Sequence, residues 1–583
     1  MPRTFSQDHI GPFGVASPNC SGVCTPSHSG RVKGSNTVPT TRQTGDDDGP
    51  TGRSRHWAQA RRAGYPGALN KVLVRLVRRA EASDPARLVQ TFVDAGPLMP
   101  LLSSTDHQIV FGRRGAGKTH ALGYLAETKN SVREPALFLD MRQLGSSAGL
   151  YTSGSLPLAE RGTRLLVDAL AAIHERLRDT ALAGGDDSEA EGGQALALLD
   201  MLADQITRVR VVGSVELQST DETETADEQA ASMHLDLHGP GVRTGERSHS
   251  KRVAGHMRRT KGVTEHSVHF GAIGKLLTDV LDALGAQRLW LLMDEWSSLP
   301  SDLQPLLADL LRRCILPLRN VTVKIAAIEQ RSHFSAITEQ GDHLGLELGA
   351  DISADIDLDD FVMFDNDAAR AKSFFAELLT RHVNAHLDPH LPGLTAEEFV
   401  REVFADARAF AELVRAAEGV PRDALNVAIV AAEHADNRRI SARDVRAAAR
   451  TWYRRDKAPA AMANADAWEL LLWVIDRVIG PRRGRAFLVP AADSQHPLIR
   501  SLYDARVLHV VRRNVALRDR PGVRYHVYTI DYGCYYDVVV SSQRALGSPA
   551  GTGDLDETVP PAGSVHAIRN SVLDLHSRST PAG

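Results

Sequence analysis

Cysteine and long apolar runs are both scarce in this chain. The four cysteines, Cys20, Cys24, Cys314 and Cys534, are too few and too scattered for a disulfide framework, which favours a reducing compartment. Cys20 and Cys24 have the spacing of a zinc-binding pair, but no second ligand pair follows, so we expect no metal site there. No apolar run approaches the roughly 20 residues that a bilayer requires, and the polar N-terminus lacks a signal-peptide core. We therefore expect a cytoplasmic protein without a membrane partner.

Lysine is also rare, because 10 of the 68 basic residues are lysines and the other 58 are arginines. This preference is typical of a bacterium with a GC-rich genome and is not by itself a sign of nucleic-acid binding. The net charge is −4, yet residues 451–547 carry 15 arginines and lysines against 9 aspartates and glutamates. This local positive excess indicates which part of the chain is best suited to a nucleic-acid partner.

Large apolar residues are few at both ends of the chain. Residues 1–55 are rich in Ser, Thr, Gly, Pro and Asp and cannot bury enough surface to offset the entropy of ordering. We predict a disordered N-terminal tail over 1–55 and, from a similar Gly/Pro/Ser-rich composition, a disordered C-terminal tail over 546–583. The composition between them, within a chain of 583 residues, is that of a globular protein with about two to four domains.

A glycine-rich stretch provides the first motif. It fits the pattern G-x-x-x-x-G-K-[ST], and its residues are Gly112, Arg113, Arg114, Gly115, Ala116, Gly117, Lys118 and Thr119. In such a loop, backbone N–H groups at a helix N-terminus surround phosphates, Lys118 reaches the β- and γ-phosphates, and the Thr119 hydroxyl ligates Mg²⁺. A chance match is the alternative, but an apolar strand-like run precedes the motif and a helix-like segment follows it. The motif therefore predicts binding of ATP with Mg²⁺.

The second motif is the stretch 288–295, which is apolar after Arg288 and ends in Asp294 and Glu295. Asp294 at the end of a strand is suited to hold the Mg²⁺ shell, and Glu295 to polarise the attacking water as the catalytic acid–base residue. Core strands that end in acids are common without any function. The pairing with the phosphate loop favours the functional interpretation and predicts an ATPase.

Strand-like and helix-like segments alternate through residues 56–365, which predicts an α/β nucleotide-binding domain around a parallel sheet. The pattern breaks at 183–264, an acidic and then basic stretch that we interpret as an insertion. Its alternating runs 209–217 and 233–237 are candidates for a hairpin, and a solvated linker without function is the alternative. The run 352–358 resembles a last, edge strand.

Another strand, 321–328, ends in the polar pair Glu329 and Gln330. A strand beside the acidic one delivers a polar residue towards the γ-phosphate in nucleotide-binding sheets, so either residue is a candidate phosphate sensor. A plain strand terminus is the competing interpretation.

Residues 366–457 are almost wholly helical in pattern and predict a small lid after the sheet. Within them stands Gly419-Val420-Pro421-Arg422, followed by a helix that begins near Asp423. Arg422 at that helix start is positioned to reach back to the nucleotide, and an exposed structural arginine is the alternative.

Residues 458–545 predict helix, strand, helix and two strands joined by a basic turn, which is the order of a winged helix. In such a module a helix enters the major groove of duplex DNA while the hairpin contacts backbone phosphates. A winged helix used for protein contacts is the alternative. The candidate DNA contacts are Arg482, Arg483, Arg512, Arg513, Arg518 and Arg520.

Five short stretches together carry a resemblance to a known family. They read GRRGAGKTHAL, LLMDEW, IAAIEQRS, GVPR and RRISARDVRAAAR, and a winged-helix pattern follows them. This set resembles the AAA+ ATPases of the origin-recognition-complex type, in a branch of bacterial ATP-binding proteins, over about residues 85–540. The architecture serves initiators, loaders, transposition helpers and defence ATPases alike, so the resemblance predicts the fold more narrowly than the function.

The resemblance also implies roles for individual residues. ATP would lie between the sheet domain and the lid, with Arg422 near the γ-phosphate as the second sensor. Glu329 occupies the position of the first sensor, where Asn or Thr is commoner. The arginine finger stays unassigned, because Arg331, Arg312 and Arg313 are weak candidates without the family's usual spacing.

Two functions of different classes are consistent with these features. The first is an ATP-controlled ATPase that binds duplex DNA, of the initiator or loader type. The second is a signalling or defence switch in which ATP gates self-association and the winged helix contacts protein. Salt dependence separates them, because log affinity for DNA falls steeply with log salt concentration when phosphate contacts release counterions.

Overall fold

A computed structural model of the chain describes residues 65–132, 134–144, 151, 156–183, 189–207, 209–212, 263–266, 269–338, 341–360, 367–388, 393–479, 484–518, 520–539 and 565–575. All of them belong to one compact unit, Trp57–Gly583. The predicted tail 1–55, Arg482, Arg483 and the run 233–237 lie outside the described residues.

The described strands are β1 Gln108–Phe111, β2 Ala136–Asp140, β3 Val209–Val212, β4 Val263–His266, β5 Leu289–Asp294, β6 Val321–Ala327, β7 Ser335–Ile337, β8 His343–Gly345, β9 Ser353–Asp357, β10 Ala486–Pro490, β11 Leu508–Ala516 and β12 Arg524–Ile530. Five of them form a parallel sheet in the order β2-β5-β6-β1-β9. Every residue of β5 and β6 is buried, as expected for strands covered on both faces.

The parallel register aligns the carboxyl ends of the strands at one edge of the sheet. Asp294 at the end of β5 pairs with Asp140 at the end of β2, and Phe111 at the end of β1 pairs with Ala327 and with Asp357. Ligands of open α/β sheets bind at this edge. The predicted α/β class with a parallel central sheet is confirmed.

The helices of the first half of the chain are α1 Tyr65–Val74, α2 Pro85–Thr91, α3 Leu98–Leu102, α4 Lys118–Ser131, α5 Leu158–Ala183, α6 Glu189–Ile206, α7 Phe270–Ala283 and α8 Gln304–Leu310, the last continued by a π-helical turn, Leu311–Ile315. Two apolar clusters cover the two faces of the sheet. One contains α5, α6, α7 and α8, and the other lies under α3 and α4.

We predicted that the pattern of strands and helices breaks over 183–264. The helix α6 lies within this range, so the pattern continues through part of it. Ala195, Leu199, Leu202 and Ile206 recur on one face of α6 and are buried in the same cluster as α5 and α7. The strand β3 pairs antiparallel with β4 at 263–266, whereas the predicted partner run lies outside the described residues.

A helical segment follows the sheet. Its helices are α9 Ala368–Asn384, α10 Ala396–Val403, α11 Ala407–Ala416, α12 Pro421–Ala435, α13 Ala442–Trp452 and α14 Ala458–Met462, with a π-helical turn at Tyr453–Lys457. Capping boxes at Thr395 and Ser441 satisfy the first backbone N–H groups of α10 and α13. The helix predicted to begin near Asp423 begins at Pro421.

The C-terminal segment contains α15 Ala465–Trp473, a π-helical turn at Val474–Ile479, β10, α16 Pro497–Asp504, β11, β12 and α17 Tyr532–Cys534. Its three strands form an antiparallel sheet in the order β10-β12-β11. One apolar cluster runs through the helical and C-terminal segments together, so they pack against each other without a layer of water between them.

Part of the predicted disordered tail 546–583 is ordered. Residues 565–575 contain α18 Val565–Ile568 and a bridge between Val572 and Leu488 of β10. The N–H of Leu488 donates to the carbonyl of Ser571 at 2.7 Å, and the N–H of Leu573 donates to the carbonyl of Leu488 at 2.7 Å. Ile568 and Leu573 are buried, which accounts for the ordering of this stretch.

Among the described helices, none has both the length and the apolar character needed to cross a membrane.

Candidate functional site

The loop between β1 and α4 turns at two glycines. Gly115 and Gly117 have φ angles of 92° and 105°, the left-handed region that disfavours residues with a side chain. A Cβ atom on Gly115 would lie 2.9 Å from Cβ of Arg422, whereas one on Gly117 would meet nothing within 4 Å. The loop is therefore closely packed on one side and open on the other, where α4 begins at Lys118.

Lys118 is buried within the loop. Its Nζ donates to the carbonyls of Gly112 at 2.7 Å and Arg113 at 3.0 Å. Burial lowers the pKa of Lys118, and the nearby acids Asp359 and Asp294 oppose that shift. Two neutral carbonyl groups accept two of the three hydrogen bonds of this cation without neutralising it, so an anion in the loop would be strongly favoured.

Thr119 and Asp294 connect the loop to the sheet. The Thr119 hydroxyl donates to Oδ2 of Asp294 at 2.7 Å. Burial raises the pKa of Asp294, the charge of Glu295 adds to the increase, and the bond from Thr119 opposes it. Glu295 has a φ angle of 58°, which is uncommon for a residue other than glycine and recurs at functional sites.

A cleft of about 780 Å³, counting its open mouth, lies beside the loop. Its polar lining includes Arg114, Gly115, Gly117, Lys118, Thr119, Glu295 and Arg422. Its apolar lining includes Val77, Leu88, Ile328, Leu378 and Leu425. A cleft that combines charged and apolar side chains suits a ligand that has both kinds of group.

Arg422 enters the cleft from the first turn of α12. Its backbone N–H donates to the carbonyl of Gly115 at 3.3 Å, so the helix start contacts the loop directly. Its Nη2 is 4.0 Å from Oε1 of Glu81, which also lines the cleft. Burial lowers the pKa of Arg422, and the charge of Glu81 opposes the shift.

Glu329 does not lie with these residues. Its carboxylate accepts a hydrogen bond from Nη1 of Arg513 at 2.5 Å, and Nη2 of Arg513 donates to Asp357 at 3.1 Å. Gln330 is buried and does not line the cleft either. Glu329 is therefore paired with a cation of β11 and is not among the residues that line the cleft, so its role as first sensor stays a prediction.

Arg113, at a variable position of the motif, is buried and lies in a network of charged groups. Its Nη2 donates to the carbonyl of Glu418 at 2.9 Å, and its Nε is 3.1 Å from Asp359. Its Nη1 also donates to Nδ1 of His509 on β11. Because arginine only donates, this contact fixes the proton of neutral His509 on Nε2, which donates to Asp531 at 3.3 Å. The motif gave no signal of these contacts.

The network continues from Asp531 to the helical segment. Nζ of Lys457 is 2.6 Å from Asp531 and 2.7 Å from Asp423, and Nη1 of Arg506 donates to Asp423 at 2.8 Å. Asp423 follows Arg422 directly. A continuous buried network, which we call the inner network and define as Arg113, His509, Asp531, Lys457, Asp423 and Arg506, therefore begins in the phosphate loop and returns to the cleft.

The other arginines with a predicted role are the candidates for the arginine finger and the candidates for DNA contacts. Arg312 and Arg313 pair with Asp309 at 2.8 and 2.6 Å, and Arg331 pairs with Asp504 at 3.2 Å, so each has a local partner. Of the DNA candidates, Arg513 is bound to Glu329 and Asp357, as described above. Arg512, Arg518 and Arg520 are exposed, and so is Arg513.

No protein-family model matches this chain, and no curated protein matches it. Among solved structures it is similar to the ORC1 protein of Aeropyrum pernix in complex with DNA, at 14% sequence identity. The match covers 81% of this chain and 98% of that chain, with a TM-score of 0.26. A similarity this low carries no argument about function, which rests here on the site.

Proposed function

We propose that the chain binds ATP with Mg²⁺ in the cleft and hydrolyses the ATP. The observation that carries this proposal is that three separate parts of the chain converge on the cleft. The loop contributes Lys118 and Thr119, Glu295 follows the end of β5, and α12 contributes Arg422. Asp294 lies directly behind Thr119 and accepts its hydroxyl hydrogen bond. Phosphate binding, water activation and recognition of the γ-phosphate each need one of these groups.

The residues fit a magnesium ion. The Thr119 hydroxyl and the Asp294 carboxylate are oxygen ligands of the kind that Mg²⁺ prefers, and they lie 2.7 Å apart. The described residues contain no group of three or more His, Cys, Asp or Glu that could hold a metal ion, so phosphate oxygens and water would complete the shell. When bound, Mg²⁺ supplies neutralisation of the phosphate charge.

The protein side chains would then share the work of hydrolysis. Lys118 binds the phosphates in place of its carbonyl partners, and the N–H groups at the start of α4 add to that attraction. Glu295 orients and polarises water at the open side of the loop. Arg422 stabilises the charge that develops on the γ-phosphoryl group, and the contact of α12 with Gly115 excludes water behind it.

The mutation Glu295→Gln tests the catalytic part of this proposal. It should leave ATP affinity within about twofold and lower steady-state hydrolysis about 100-fold or more, because a general base contributes that much to the transition state. Glu377→Gln, at a half-exposed glutamate of α9, is the control and should change neither quantity. Wild-type turnover by Glu295→Gln would show that Glu295 is not the catalytic acid–base residue.

For the C-terminal segment we propose duplex DNA as the partner, under control of the nucleotide. The order of its helices and strands is that expected of a winged helix, and exposed arginines lie along the end of β11 and the turn after it. Phosphate contacts from Arg512, Arg518 and Arg520 would orient the protein on DNA without reading bases.

One observation favours the alternative of an ATP-gated switch with protein contacts. Arg513 is bound to Glu329 and Asp357 of the sheet domain, and α16 lies beside the phosphate loop. Both elements would face DNA in a winged helix, yet here they contact protein.

Anisotropy titrations at several salt concentrations, on the full chain with ATP, separate the two functions. The triple mutation Arg512→Ala, Arg518→Ala and Arg520→Ala should flatten the salt slope by about one unit for each phosphate contact removed. Arg408→Ala, at an exposed arginine of α11, is the control. If wild type does not bind DNA even at low salt, the switch is the better description.

A further inference from the structure

A second cavity lies beside Arg114 of the phosphate loop. It has a volume of about 900 Å³, counting its open mouth, and lies between the loop, the turn after β6 and the helix α16. Its lining includes Arg114, Arg331, Pro497, Arg500, Ser501 and Asp504. We call this cavity the arginine groove.

One face of α16 forms a wall of the groove. Pro497, Arg500, Ser501 and Asp504 recur at the spacing of a single helix face, while Ile499, Leu502 and Tyr503 on the opposite face are buried. The packing of these buried side chains fixes the position of the helix that forms the wall.

The groove carries more positive charge than its own acid can neutralise. Asp504 pairs with Arg331 at 3.2 Å. Arg114 and Arg500 make no side-chain hydrogen bond or ion pair with any residue that the structure describes, although both act on the charge of Asp504. Three guanidinium groups thus face one carboxylate. Those of Arg114 and Arg500 are free to bind an anion.

Guanidinium groups with free donors are suited to phosphate. Their planar fork binds two phosphate oxygens at once, and the Ser501 hydroxyl provides a further donor at the same wall. About 460 Å³ of the groove is open to a ligand, which is within the range of small-molecule sites and enough for a ligand of nucleotide size. A phosphate group is the ligand that this charge and this volume favour.

We propose that the arginine groove is a second phosphate site, distinct from the ATP cleft, which takes a phosphorylated ligand of nucleotide size through Arg331, Arg500 and Ser501. Arg114 lines both cavities, so it is the point where a ligand of the groove would affect the phosphate loop. The phosphate belongs either to a free small molecule or to the end of a single nucleic-acid strand.

Calorimetric titration of the full chain with inorganic pyrophosphate tests the groove directly. Wild type should show two sites, one in the phosphate loop and one in the groove. Arg500→Gln should weaken the groove site about 10- to 100-fold, the usual effect of a charged hydrogen bond, and leave the other site unchanged. Arg500→Lys, which keeps the charge but loses the fork, should fall between the two. Arg443→Gln, at an exposed arginine of α13, should titrate as wild type.

The variant Lys118→Ala separates this proposal from the proposed ATP site. It should lose the phosphate-loop site and keep the groove site, so that failure of either proposal leaves the other measurable. Circular dichroism and thermal unfolding of Arg500→Gln check that it folds. A wild-type isotherm for folded Arg500→Gln, or a single pyrophosphate site in wild type that Lys118→Ala abolishes, would overturn the proposal.

Competition identifies the source of the phosphate. A 5′-phosphorylated oligothymidylate that displaces pyrophosphate from wild type, but not the same oligonucleotide with a 5′-hydroxyl, would assign the groove to the end of a nucleic-acid strand. Displacement by neither oligonucleotide would assign it to a free phosphorylated molecule.

Discussion

Arg113 and Arg114 are neighbours in the phosphate loop, yet their surroundings are opposite. Arg113 is 1% exposed and bound to Asp359, Glu418 and His509, while Arg114 is exposed and lines two cavities. Both stand at variable positions of the motif. One of these positions attaches the loop to the rest of the chain, and the other presents charge to two cavities.

The two surroundings should also respond differently to mutation. A buried charge that loses its partner is costly, because water cannot replace the contact, whereas an exposed arginine stays solvated. We therefore expect substitutions in the inner network to change folding stability, and substitutions in the arginine groove to change anion binding alone.

Lys457→Met should break the inner network with the largest effect. It leaves the buried carboxylates of Asp423 and Asp531 without the ammonium group that lies within 2.7 Å of each, at a cost of about 3–5 kcal/mol of unfolding free energy. Urea denaturation measures that loss. Arg500→Gln serves as the outer counterpart and should stay within about 0.5 kcal/mol of wild type. Equal stability of the two variants would remove the distinction between the two surroundings.

His509 gives the inner network a pH dependence. Burial lowers the pKa of His509 to about 4, with the charge of Arg113 adding to the decrease. The unfolded chain then binds more protons than the folded one between pH 6.5 and about 4, so the stability contributed by neutral His509 is complete above pH 6.5 and is lost as the pH falls. The loss is on the order of 3 kcal/mol.

His509→Gln removes the titrating group and should flatten the dependence of unfolding free energy on pH in that range. Chemical denaturation at several pH values measures the slope. His382→Gln is a matched comparison, because burial also lowers the pKa of His382 to about 4 outside the inner network, and it should flatten the slope similarly. An unchanged slope for His509→Gln would mean that the histidine is not held neutral.

Arg422→Ala sharpens the comparison at the far end of the network, where Asp423 is buried and Arg422 faces the cleft. We expect hydrolysis to fall about 100-fold with the fold intact, because the arginine stabilises charge in the transition state. Limited proteolysis should show stronger protection with ATP than with ADP in wild type, and less difference in the variant. Identical protection by both nucleotides in wild type would speak against a sensor role.

Much of the cleft could be predicted from the sequence because its residues lie in short motifs. The loop at 112–119 and the acids after β5 each depend on a strand and a turn that local pattern specifies. Arg422 was identifiable from four residues at a helix start. The parallel sheet followed from alternating strands and helices.

The contacts between distant parts of the chain could not be predicted. Arg113 and His509 are 396 positions apart, and no local pattern indicates that a loop and a strand so separated will meet. The ion pair of Glu329 with Arg513 of β11 was unpredictable for the same reason, and the sensor role of Glu329 stays a prediction.

Two other predictions also differ from the structure, namely the break over 183–264 and the disordered tail over 546–583. The buried face of α6 has helical spacing that its acidic, glycine-rich surroundings obscured. Residues 565–575 gain their order from pairing with β10, and composition alone does not reveal such a partner.

The most direct test of the central claim is equilibrium binding of ATP, with Mg²⁺, to wild type and to Lys118→Ala. Wild type should bind one ATP per chain in the cleft. The variant should bind about 100-fold more weakly, since it loses a buried charged hydrogen-bond donor to the phosphates. Equal affinity in the two proteins would contradict the account, because ATP would then lie somewhere other than the phosphate loop.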